Sequence, residues 1–239
     1  MDARNRAEHT LHRYDEELEE VRARVMRIGG MVEQQLADAL GALAQVDGER
    51  AARVVRGDRQ INEQELEIDE CCTSLLARRA PVAGDLRLVI GVIKAVTDLE
   101  RMGDEAVRIA RMAIRTAERG VGAGSRVGDL RHMGPRVQSM LSNALDAFAR
   151  TDPEAAVNVM QEDRGVDREY DSLSREMITF MMEDPRAIPL GLDVMFAARA
   201  LERIGDRACN LCEYVIYIVK GTDVRHAPIE IVRNTARGE

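Results

Sequence analysis

Leu99-Glu100-Arg101-Met102-Gly103-Asp104 occurs a second time, as Leu201-Glu202-Arg203-Ile204-Gly205-Asp206, 102 residues further along the chain. Five of the six positions are identical, and each copy sits inside an apolar run of helical period. Residues four apart on a helix differ by only about 40° in direction, with Cβ atoms about 6 Å apart. Glu100 and Asp104 therefore leave one face together, as do Glu202 and Asp206. The repeat predicts a helical protein with a duplicated site.

The surroundings of each copy repeat as well. The first motif lies on a helix predicted from near Asp85, read as its N-cap, to Arg119. Before it, Val25, Ile28, Val32, Leu36, Ala39, Leu40 and Leu43 recur at three- and four-residue steps and place one long helix over Leu11 to Ala44. Val46-Asp47-Gly48 closes that helix, and a second spans Glu49 to Arg79, ended by Ala80-Pro81 and Gly84. In the other half Val137, Leu141, Ala144 and Leu145 match Val32, Leu36, Ala39 and Leu40 at an offset of 105. Asp152 and Pro153 then open a fifth helix as N-cap and first helical residue, running to Met182. The sixth runs from Leu190 to Lys220, and Gly221 ends it. The drop in offset from 105 to 102 removes three residues from one connection, as expected for two copies of one packed plan. The expected fold is all-α: two tandem, structurally similar three-helix bundles, residues 1–121 and 122–221, joined at Gly120–Ser125. Residues 222–239 are read as a tail without periodicity, poorly ordered.

Composition agrees with close-packed helices. The 239 residues contain 3 % aromatics and no Trp. The net charge is −8, and only Lys94 and Lys220 among the basic residues are lysines. An acidic chain without a basic cluster argues against nucleic acid as a partner. The first twenty residues hold no apolar stretch for a signal peptide, and no run approaches 18 apolar residues, so no membrane insertion and a cytoplasmic location are expected. In that compartment Cys71, Cys72, Cys209 and Cys212 are not needed as disulfides. The repeat lays Cys209 on Val107 and Cys212 on Ala110, which favours small buried apolar residues over a metal or redox pair.

The acids sit where acids are costly. Val89, Ile93, Val96, Val107 and Ile114 lie within about 40° of Glu100 on its helix, and Met195, Ala198, Cys209 and Ile216 surround Glu202 in the same manner. A carboxylate on a core stripe needs compensation. Gly103 and Gly205 each cost about 1 kcal/mol relative to Ala inside a helix, and would let another group approach the backbone beside the acids. On the preceding helices Asp58, Asn62, Glu65 and Asp69 share a face, and so do Asp163 and Asp167. If those helices face the motif helices, Asp58, Asn62, Glu100 and Asp104 converge at one site, and Asp163, Asp167, Glu202 and Asp206 at another. Acids gathered in this way share a cation, and oxygen-only ligands suit magnesium, manganese or iron. The competing reading is solvated acids paired to Arg59, Arg101, Arg164 and Arg203. No Ser, Cys or His is seen beside the rows to act as nucleophile or base, which argues against an enzyme.

Asp98-Leu-Glu-Arg-Met-Gly-Asp104, Ala200-Leu-Glu-Arg-Ile-Gly-Asp206 and Pro81-Val-Ala-Gly-Asp-Leu-Arg87 resemble the PhoU family, accessory regulators of the high-affinity phosphate transporter. The resemblance covers Leu11 to Gly221 and includes the tandem three-helix plan. It implies multinuclear iron or zinc clusters held by Glu100, Asp104, Glu202, Asp206, Asp163 and Asp167; the oxygen ligands favour iron, with zinc, manganese and magnesium as alternatives. Asn62 departs from the carboxylate pattern and implies weaker metal binding at the first site. The resemblance further implies a homodimer that contacts the transporter ATPase subunit and a phosphate-sensing histidine kinase, and keeps the phosphate-starvation response off. A metal-dependent phosphohydrolase and a metal-free helical scaffold are the alternatives.

Overall fold

Val25, Ile28, Val32, Leu36, Ala39 and Leu43 are all buried along one stripe of α1 (Ala3–Gln45). The apolar periodicity thus becomes the packing face of the first helix. The computed structural model describes residues 3–119, 130 and 132–239, with side chains from residue 14 onward. The Gly120–Ser125 joint expected between the halves lies outside the described residues. Six further helices follow: α2 (Gly48–Arg79), α3 (Ala83–Glu118), α4 (Met133–Arg150), α5 (Pro153–Glu183), α6 (Ile188–Lys220) and α7 (Ile229–Arg237). No strand occurs among the described residues. Helices α1–α3 pack as one three-helix bundle and α4–α6 as a second.

The connections repeat along with the helices. Asp47 caps α2 by accepting the Arg50 backbone N–H, and Asp152 caps α5 by accepting those of Glu154 and Ala155, with Pro153 at the first helical position. Val46 and Thr151, equivalent residues before these caps, both take positive φ, 55° and 49°. Gly221 ends α6 in the left-handed conformation. Asp85 does not cap α3. The helix starts two residues earlier after Val82, without a side-chain cap, and Asp85 in its first turn instead accepts the Tyr14 hydroxyl at 3.2 Å.

The bundles do not hold separate cores. Buried residues run without a break from one into the other, because α3 lies antiparallel to α6 along its length. Arg87 donates to the Ile218 carbonyl, Tyr214 and Asn210 donate to Asp98, Arg203 donates to Glu105, and Arg115 and Arg119 donate to Asp193. Asp98, Glu105 and Asp193 are buried, and these donors satisfy them. Helices α1 and α4 close a second seam. A Cβ on Gly29 would stand 2.5 Å from Leu145 Cδ2, and one on Gly134 would stand 3.2 Å from Leu40 Cδ2. Gly29 and Gly134 are equivalents under the 105-residue offset, as are Leu40 and Leu145, so the contact is reciprocal. An approximate two-fold axis therefore relates the bundles, with the logic of an isologous interface inside one chain.

The C-terminal stretch corrects the expectation of an unstructured tail. Helix α7 packs on α5 and buries Val232 and Ala236, while Val224 is buried in the approach to it. Ile229, Val232 and Ala236 do carry helical spacing, but over nine residues the signal is too short to separate from a loop.

Candidate metal centres

Helix α2 faces α3, and α5 faces α6, as the polar rows require. Asp58 Oδ1 lies 3.5 Å from where a Gly103 Cβ would be, and Asp163 Oδ1 lies 3.5 Å from the corresponding point on Gly205. Each motif glycine is thus the place where an aspartate from the neighbouring helix comes against the motif backbone. The two notches differ in depth. At Gly103 the Oε1 of Gln35, from α1, comes within 2.9 Å of the Cβ position, so an Ala there collides; at Gly205 nothing comes closer than 3.5 Å. The residue equivalent to Gln35 is Met140.

In the second bundle all four expected acids come together. Burial, followed by the Asp167 and Asp206 carboxylates, pushes the Asp163 carboxyl up to about 6. Burial and Asp206, with Asp167 and Asp163 behind, raise Glu202; burial and Asp167 raise Asp206. In the first bundle burial, Asp104, Glu65 and Asp58 raise Glu100, and burial, Asp69 and Asp104 raise Glu65. Glu65 therefore belongs with Asp58, Glu100 and Asp104, although its row alone did not single it out. Asn62 is exposed, in the place Asp167 takes in the second bundle.

Two of the arginines read as partners of these acids pair elsewhere, whereas Arg101 still acts on Glu65 and Glu100, pulling both down against the stronger raising effects. Arg59 pairs with Glu63 at 2.7 Å, and Arg203 pairs with Glu105 across the inter-bundle seam at 3.2 Å. Glu202 is held instead by Arg199 at 2.6 Å, through Oε1 only; its Oε2 is buried without a partner. Gln35 Oε1 and Asp69 Oδ1 are likewise buried and unpartnered. Cys209, expected to be a plain apolar residue, lies beside Asp163 and acts to lower its carboxyl pKa against the stronger raising effects. A thiol does therefore stand beside the second acid row, but burial and Asp163 raise its pKa, so it is no thiolate nucleophile. Cys212 is buried, and both cysteines are free.

Among the described residues no three His, Cys, Asp or Glu side chains already converge on one point as metal ligands. The donor chemistry nonetheless fits a cation. In each cluster burial and neighbouring carboxylates raise a partly buried glutamate, Glu100 in the first and Glu202 in the second, and each holds a buried oxygen lacking a partner, Gln35 Oε1 in the first and Glu202 Oε2 in the second.

The repeated acids mark a known family. The model of the PhoU domain matches residues 25–113 and again 130–215, one match per bundle. The chain belongs to the PhoU family. It is 49% identical to a Pseudomonas putida protein named phosphate-specific transport system accessory protein PhoU homolog, over 96% of this chain and 90% of that protein. The crystal structure of PhoU from Pseudomonas aeruginosa superposes with a TM-score of 0.84 at 50% identity, over 87% of this chain and all of that one. The phosphate transport system regulatory protein PhoU from Streptococcus pneumoniae superposes with a TM-score of 0.81 at 34% identity, over 88% of this chain and 99% of that one. The PhoU fold thus accounts for the tandem bundles. Among the described residues, no helix is long and apolar enough to cross a membrane.

Proposed function

We propose that this PhoU-family chain regulates phosphate uptake and the phosphate-starvation response through protein–protein contacts. Its cytoplasmic partners would be the ATPase of the phosphate transporter and a phosphate-sensing histidine kinase, and it would act as a homodimer that turns over no substrate. The observation that carries this reading is the near full-length match to proteins named as accessory or regulatory components of phosphate transport. The surface supports a partner protein. Where α5 hands over to α6, Ile178, Met182, Leu192 and Phe196 are large apolar side chains left exposed, and exposed apolar groups of this kind mark contact surfaces.

Metal completes the reading. Asp163, Asp167, Glu202 and Asp206 would hold one centre, and Asp58, Glu65, Glu100 and Asp104 the other, with iron the favoured ion. A bound cation would supply positive charge to acids that repel one another and would tie α2 to α3 and α5 to α6. The chain's own residues set the conditions: Gly103 and Gly205 admit the aspartates, and Arg199 restrains Glu202. Deleting the gene tests the regulatory reading. Starvation genes should be expressed even in phosphate-rich medium; continued repression, with no paralogue present, refutes it.

A further inference from the structure

Gln35 is a side chain at the first acid cluster that neither the motif nor the facing row predicts. It comes from α1, is 8 % exposed, and spends its Nε2 on Asp58 Oδ1 at 3.0 Å. Its Oε1 is buried without a hydrogen-bond partner and lies against Gly103, beside Asp58 Oδ1. A buried amide oxygen left unpaired costs about 1–3 kcal/mol, and calls for an explanation, of which a bound ion is one. Gly103 is also explained, since a Cβ there would collide with this oxygen at 2.9 Å. On its outer side Gln35 forms part of the wall of a groove of about 550 Å³ between α1 and α2, lined by Gly30, Gly57 and Ile61.

We propose that the Gln35 amide oxygen is a metal donor of the first centre, binding an oxygen-preferring cation together with Asp58, Glu100 and Asp104. This rests on the metal reading above. Neutral carbonyl oxygens from Gln are ordinary ligands of hard cations. Gln35 adds a ligand without adding charge to acids that already repel, whereas Met140 in the second bundle offers no oxygen. The two centres are therefore built differently: the first takes a donor from all three of its helices, the second from two.

The test uses the full chain, stripped of metal by chelator and titrated with Mn²⁺, with bound ion read by electron paramagnetic resonance. Asp163→Asn and Asp206→Asn together silence the second centre, so the remaining binding reports the first. Gln35→Met in that background, which installs the residue of the second bundle, should weaken Mn²⁺ binding about tenfold or more, whereas Gln35→Glu should keep it. Circular dichroism and thermal melts confirm that the variants fold. Unchanged binding in Gln35→Met, with binding abolished by Glu100→Gln plus Asp104→Asn, refutes the role of Gln35 and leaves the metal reading standing. Unchanged binding in both, or no binding by the parent chain, overturns the metal reading and the Gln35 assignment together.

Discussion

Leu145 occupies the notch left by Gly29, its Cδ2 only 2.5 Å from where a Cβ on that glycine would stand. The contact joins α1 to α4 and sets how closely the two bundles approach. Gly29→Ala gains about 1 kcal/mol of helix propensity but forces Leu145 out of its place, and overpacking of this kind costs about 1–3 kcal/mol. The reciprocal site is more forgiving, at 3.2 Å from Leu40. Urea unfolding should show Gly29→Ala destabilised, and Gly134→Ala near neutral. Equal effects at both positions would contradict this account of the seam.

Tyr214 donates to Asp98 Oδ2 at 2.7 Å, and that acid is buried in the α3–α6 interface. Asn210 is its other hydrogen-bonding side chain, at 3.3 Å, with Arg207 3.8 Å away. Tyr214→Phe keeps the ring and removes the shortest donor, so unfolding free energy should fall by about 1–3 kcal/mol. Tyr217→Phe on the same helix, a hydroxyl not engaged with Asp98, is the control and should change little.

The acid clusters give the metal-free protein an unusual acid response. The Asp163 carboxyl is raised in the fold to about 6, above its ordinary 3.8. Between these values the folded chain holds a proton that the unfolded chain has lost, so stability falls as pH rises through that window. Glu100, Glu202 and Asp206 are raised as well and act in the same sense. Lower down, Asp223 is held at about 2 by Arg225, and its protonation removes stability. The melting temperature of metal-free protein should therefore increase from about pH 6 to about pH 4. Asp163→Asn should flatten that slope; an unchanged slope would mean that Asp163 is not the titrating group.

Metal content checks the second centre directly. Protein purified without chelators or a nickel column should carry metal, and Glu202→Ala with Asp206→Ala should lower the metal per chain measured by plasma mass spectrometry. Identical content in parent and variant would remove these residues from the site.

The six long helices were legible in the chain because each carries enough apolar positions at three- and four-residue steps to define one buried face, and because each half repeats the other. That Asp163, Asp167, Glu202 and Asp206 lie near enough to act on one another's charge was legible for the same reason. Residues four apart on two facing helices have little freedom to point anywhere else. Helix α7 was not, since nine residues carry too little periodicity to outweigh the surrounding Gly and Pro.

What only the tertiary structure decided are the contacts made between helices far apart in sequence. Local spacing says that Gln35, Glu65 and Cys209 lie on helices, but not that Gln35 reaches Gly103 from α1, that Glu65 joins Glu100, or that Cys209 meets Asp163. It places Arg203 beside Glu202, yet the side chain crosses the seam to Glu105. Helical periodicity fixes the direction in which a side chain leaves its own axis; which groups it meets depends on the crossing of axes and the depth of the notches at Gly29, Gly103 and Gly134, and these are set by packing.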